Sequence, residues 1–94
     1  MAEYVLFGKY TSESIKQVSA DRTKKATELI EKLGGKIKSM HALLGEKDLI
    51  FILDLPDNEK ALQASLALFK LTGISFSTHP AISIETFDKL ASES

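Results

Sequence analysis

Residues 45–55, Gly-Glu-Lys-Asp-Leu-Ile-Phe-Ile-Leu-Asp-Leu, constrain the fold of this chain more than any other stretch. They read as a tight turn feeding a strand that is apolar on both faces. Side chains alternate across a strand, so Leu49, Phe51, Leu53 and Leu55 point one way. Ile50 and Ile52, flanked by Asp48 and Asp54, point the other. A strand apolar on both sides belongs in the middle of a sheet with something packed on each face. The helical segments elsewhere in the chain suffice for one face only. A second copy of the chain is the expected cover for the other.

Length and charge narrow the options. The chain has 94 residues, which makes one domain, 1–94, near the small end of what buries a workable core. Covering an extra apolar face by pairing therefore adds real stability. The 44% apolar and 27% charged composition is that of a soluble globular chain. A net charge of −1 gives no footprint for nucleic acid or an anionic membrane. No apolar run approaches the ~18 residues of a membrane span, and no basic stretch followed by an apolar run marks a signal peptide. Cysteine is absent, which excludes disulfides, thiolate metal sites and cysteine catalysis and fits a cytoplasmic location. Of the 12 basic residues only Arg22 is an arginine. That lowers the weight of a site gripping phosphate or carboxylate bidentately.

Taken in order, residues 3–10 form a first strand, rich in β-branched and aromatic side chains. Gly8 within it signals a bulge or a close approach. Residues 11–14 carry cap and turn chemistry. A helix capped by Ser19 or Asp21 runs to about Leu33, with Ala26, Leu29, Ile30 and Leu33 on its apolar side, and Gly34-Gly35 ends it. Lys36 to Leu44 is a second strand, joined through residues 45–48 to the third as an antiparallel hairpin. Pro56 stops that strand. Asp57 caps a helix from Asn58 to Thr72, whose buried stripe is expected to be Ala61, Leu62, Ser65, Leu66 and Phe69, and Gly73 ends it. Ile74 to Ala81 is a fourth strand. A short helix begins at Ser83, with Ile82 and Phe87 as a hydrophobic staple.

The order βαββαβ plus a terminal helix, with right-handed crossovers, is an α+β ferredoxin-like sandwich. Its antiparallel sheet has the order 4-1-3-2, with two helices on one face. If Glu46-Lys47 is a two-residue turn, Leu43 opposes Ile50 and His41 opposes Ile52 on the open face. Val5, Phe7, Ile74 and Phe76 are assigned to the helix side. Tyr4, Leu6, Tyr10, Ser75, Ser77 and His79 are assigned to the open side. A face of that mixed character points to two copies closing over a small cavity, as a dimeric α/β barrel.

Three segments carry a family resemblance: Tyr4-Val5-Leu6-Phe7-Gly8-Lys9-Tyr10-Thr11, Leu33-Gly34-Gly35-Lys36 and Leu44-Gly45-Glu46-Lys47-Asp48. In that order they resemble the GYD domain family, a bacterial and archaeal family of uncharacterised function. The resemblance covers nearly the whole chain and implies a ferredoxin-like, dimeric α/β-barrel protein. Its naming motif falls on Gly45 to Asp48, where Lys47 stands in place of the tyrosine common in members. It brings no established catalytic residue with it.

The candidate ligand-binding residues are Tyr4, Tyr10, His41, Asp48, Ile50, Ile52 and His79. Asp48 at a strand start is either an orienting or basic group or a structural acceptor of turn N–H groups, the commoner role for Asp there. His41 and His79 sit on opposite edges of one sheet, ~14 Å apart across three strand spacings, so they share no metal within a subunit. Ser77 and His79, two apart on one strand, are not expected to pair for nucleophilic attack. No Gly-rich phosphate loop follows a strand. The only aromatic of the third strand, Phe51, faces the helices, unlike the exposed aromatics of RNA-binding sandwiches. The residues thus favour a homo-oligomeric module, cofactor-free, binding a small apolar or amphipathic molecule between facing sheets. The alternatives are a cofactor-independent enzyme of monooxygenase or isomerase type using His or Asp, on fold-level analogy, and a structural or regulatory interaction domain.

Overall fold

A computed structural model describes residues 1–94. Its elements are β1 (Ala2–Lys9), α1 (Ser12–Ile15), α2 (Ala20–Lys32), β2 (Lys36–Ala42), β3 (Leu49–Leu55), α3 (Asn58–Thr72), β4 (Ser75–Ala81) and α4 (Ile84–Ser92). The four strands make one antiparallel sheet in the order β2-β3-β1-β4, the expected ferredoxin-like arrangement. The two-sided strand β3 is central, and α2 and α3 lie on one face of the sheet. No helix is long and apolar enough to cross a membrane.

Local chemistry sets the helix ends. Ser19, Asp57 and Ser83 each accept a backbone N–H three residues on, from Arg22, Lys60 and Thr86, satisfying donors that a helix start leaves unpaired. Thr11 and Ser14 form a reciprocal capping box around α1. Gly73 ends α3 at a φ of 75°, a left-handed backbone that an L side chain rarely adopts. Gly35 answers a different need. A Cβ there would come within 2.6 Å of Leu55 Cδ2 and 2.8 Å of the Asp54 carbonyl, so only glycine lets the chain pass this close to β3.

The hairpin differs from expectation in its loop. Ala42 pairs with Leu49 and His41 with Ile50, so residues 43–48 form a longer connection with Leu44 fully exposed at its tip. The shift from the two-residue-turn register is an even number of residues. Each side chain therefore keeps its face, and His41 stays on the open side. A register change between Ile37 and Ser39 puts Lys38 at a bulge, where its ammonium reaches Glu3 at 2.9 Å and Asp54 at 3.4 Å.

For β1 the face assignment is corrected. Tyr4 pairs with Leu53 and Leu6 with Phe51, and both are almost wholly buried under the helices. Val5 opposes Ile52 and Phe7 opposes Ile50 on the open face. Both parities of this strand are apolar, so composition does not choose between them. Cross-strand pairing with β3 does. The core beneath the helices holds Tyr4, Leu6, Phe51, Leu53 and Leu55 from the sheet, with Ala26 and Ile30 from α2 and Ala61, Ala64 and Leu68 from α3.

Helix α3 is also rolled relative to expectation. Its buried residues are Ala61, Ala64, Leu68 and Thr72, while Leu62, Leu66 and Phe69 are each more than half exposed. Both sets have helical spacing. The small alanines bring the helix axis close to the sheet, which leaves the bulky set outside. Helix α4 buries no side chain, and the Ile82–Phe87 staple pair is more than half exposed at both residues. The chain measures 48 × 30 × 18 Å, with a radius of gyration of 14.3 Å. A compact chain of this length has about 12 Å, and the excess reflects the projecting α4.

Candidate functional site

A cleft of about 270 Å³ opens between the first half of α2 and the sheet. Its floor is apolar: Met40, Leu49 and Phe51 from β2 and β3, Ile74 just before β4 and Phe76 within it, and Leu68 from α3. Phe51 and Phe76 pack with ring centroids 5.2 Å apart. Gly8 lies beneath them. A Cβ on Gly8 would meet Phe76 at 2.9 Å and Ile74 and Leu49 at 3.2 Å, and all three line the cleft. The glycine signal in the first strand thus marks close side-chain packing, with no bulge in β1.

The mouth is polar. Tyr10 stands at the sheet side, next to the end of β2 where His41 borders the cleft with its side chain on the open face, and Ser19, Arg22 and Thr23 stand at the start of α2. Arg22 is held in place: its Nη1 donates to the Ser14 carbonyl at 2.7 Å, and its guanidinium carbon lies 6.0 Å from the Tyr10 ring centroid, within cation–π range. The ion pairs of the chain are Lys25–Asp21, Lys38–Glu3 and Lys38–Asp54, so no carboxylate neutralises Arg22. No Asp, Glu or Lys lines the cleft.

The seven residues singled out in the sequence do not converge. Tyr10 and His41 reach the cleft. Tyr4 is in the core on the helix side, its hydroxyl donating to Asn58 Oδ1 at 2.6 Å. Asp48 performs the structural role: its carboxylate accepts the Tyr10 N–H at 2.8 Å, and its own N–H donates to the Gly8 carbonyl at 2.9 Å. Ile50 and Ile52 are half-buried on the open sheet face beside Val5 and Phe7. His79 is on that face too, its ring edge-on to Phe7 with centroids 5.8 Å apart.

This cleft lies on the helix side of the sheet, opposite the open face on which the sequence placed most of its candidate residues. Two further points differ. Ser77 Oγ and His79 Nε2 are 2.6 Å apart, so the two do pair along the strand, in an exposed position. Phe51 faces the helices as expected, but Phe7, assigned to the helix side, puts an aromatic ring on the open face of a central strand. No cluster of three or more potential metal ligands forms. Sequence reasoning missed Arg22 as a site residue. The available signals were its uniqueness as an arginine and its place three residues after the Ser19 cap.

Among solved structures, the chain is similar to the crystal structure of the Mycobacterium tuberculosis leucine response regulatory protein, with a TM-score of 0.58 at 6% identity. The match covers 87% of this chain and 51% of that one, so the chain spans about half the length of that protein. At such identity the likeness is one of fold. No curated protein matches the sequence. The model of the GYD domain matches residues 4–91, nearly the full length, and the chain belongs to the GYD domain family.

Proposed function

We propose that this protein is a cytoplasmic, homo-oligomeric small-molecule-binding module, with residues 1–94 acting as one unit. The observation that carries this reading is the mostly apolar cleft under α2, whose polar side chains are few: Tyr10, Ser19, Arg22 and Thr23 around the start of α2, and the buried Thr72, already bonded to the Leu68 carbonyl and the Ile74 N–H. A largely apolar concavity with a few converging polar groups is the usual form of a ligand site. At about 270 Å³ it falls just below the roughly 300 Å³ lower end of such sites, so the ligand is small. Tyr10 is its polar contact from the sheet side, while His41 borders the cleft from β2 with its side chain on the open face. Binding is favoured over catalysis because no carboxylate stands beside His41 or Tyr10 in the lining to complete an acid–base pair. The leucine response regulatory protein, similar in fold alone, is by its name a responder to a small molecule, which is compatible with this role.

Self-association rests on the other side of the sheet. Val5, Phe7, Ile50 and Ile52 form a contiguous apolar centre on the open face, flanked by the polar Ser39, His41, Ser77 and His79. A second copy packed sheet to sheet covers that centre and makes the dimeric α/β barrel. Ile50, Ile52 and His79 then serve the interface and not the cleft.

A native mass spectrum of protein purified gently from cells tests both parts. A dimer carrying additional small-molecule mass is the expected result. A monomer removes the barrel, and a dimer that never carries or accepts added small molecules removes the binding role.

A further inference from the structure

We propose that the cleft selects a small apolar monocarboxylate and that Arg22 is the residue that reads its head group. The inference rests on the binding role above and adds to it the chemical class of the ligand. A guanidinium has five N–H donors, of which one is engaged by the Ser14 carbonyl. The rest of the group sits half-buried at the cleft mouth, fixed by Ser14 and the Tyr10 ring and unpaired with any carboxylate. An anion is what such a group lacks, and a planar carboxylate fits its fork.

The rest of the lining decides the kind of anion. With no Lys in the lining and a single Arg, the cleft neutralises one negative charge, which suits a monocarboxylate and leaves a phosphate dianion undercompensated. With no Asp or Glu, nothing in the lining balances an ammonium, so a free amino acid is disfavoured against the plain acid of the same tail. The Phe51, Phe76, Ile74 and Leu68 floor asks for a hydrocarbon tail, and the cleft volume keeps it short.

The test is a titration of the full chain with sodium hexanoate, 1-hexanol and leucine, followed by backbone amide NMR shifts. Hexanoate is expected to bind roughly tenfold or more tightly than hexanol, the range of a charge-assisted hydrogen bond, and also more tightly than leucine, with the largest shifts around Arg22, Met40 and Phe76. Arg22→Gln is expected to abolish the preference for hexanoate while hexanol still binds, which also shows that the variant is folded. Arg22→Lys, keeping the charge without the fork, is expected to keep part of the preference. If hexanol or leucine matches hexanoate in the wild type, the carboxylate inference is overturned and the pocket survives. If no probe shifts the cleft amides, the binding role itself fails and takes this inference with it.

Discussion

The Asp48 carboxylate holds the backbone N–H of Tyr10 at 2.8 Å, and so ties the start of β3 to the residue that follows β1. Together with the Asp48 N–H bond to the Gly8 carbonyl, it extends the pairing of the two central strands beyond the ladder. It also fixes Tyr10, over which Arg22 is placed. Of the motif residues Gly45 to Asp48, the first three are exposed and Asp48 alone is half-buried. Lys47 in place of the family's tyrosine thus falls on a loop surface, whereas Asp48 is tied into the sheet. Asp48→Ala leaves the Tyr10 N–H without its acceptor and is expected to cost about 1–3 kcal/mol. Asp48→Asn keeps an acceptor oxygen and is expected to recover part of that loss. Urea denaturation of the two variants checks the order.

The roll of α3 is tested by two leucines. Leu68 is fully buried and Leu66 is 55% exposed. Leu68→Ala is expected to lose about 2–5 kcal/mol through lost transfer energy and a cavity. Leu66→Gln is expected to stay within about 0.5 kcal/mol, as for surface changes generally. A larger loss for Leu66→Gln than for Leu68→Ala would show that the outer stripe is the buried one.

Gly35→Ala drives a methyl group against the Asp54 carbonyl and Leu55, at 2.8 and 2.6 Å. The backbone atom cannot swing aside as a side chain can, and overpacking of this kind costs about 1–3 kcal/mol. A thermal midpoint equal to the wild type's would contradict the close approach of the α2–β2 turn to β3.

Ile52 sits at the centre of the open face, directly opposite Val5. Ile52→Asp is expected to leave a folded chain but dissociate the proposed sheet-to-sheet dimer, because the charge would be buried unpaired between the two sheets. Sedimentation velocity distinguishes the outcomes. If the wild type sediments as a dimer, a variant just as large would show that self-association uses another surface.

Lys38 has a pKa held above the ordinary lysine value, chiefly by its hydrogen bond to Glu3, against some desolvation and with help from the Asp54 charge. A raised value means the contribution is fully present below the ordinary 10.5 and is lost as pH rises through the higher folded-state value. The stability difference between wild type and Lys38→Gln should therefore shrink as pH is taken above 10.5. A difference that grows with pH would mean that the ammonium is not stabilised by Glu3 and Asp54.

By itself the sequence determined the elements, their order and the sheet topology. Those depend on local signals: the caps Ser19, Asp57 and Ser83, the stops Gly34, Gly73 and Pro56, and the unbroken apolar run of β3. Parity was legible wherever one face of an element is polar. The alternation of β4 placed Ser75, Ser77 and His79 outward correctly, and an even register shift left His41 where it was expected. Tertiary structure decided the rest. For β1 and α3 both faces are apolar, so local pattern has no preference, and only pairing with β3 or the close fit of Ala61 and Ala64 picks one. The cleft is less legible still, since its lining comes from α2, β2, β3, α3 and β4 and no window of sequence contains it. Arg22 comes to line the cleft only because Ser14, eight positions earlier, and Tyr10, twelve earlier, are folded back to hold its guanidinium beside an apolar space.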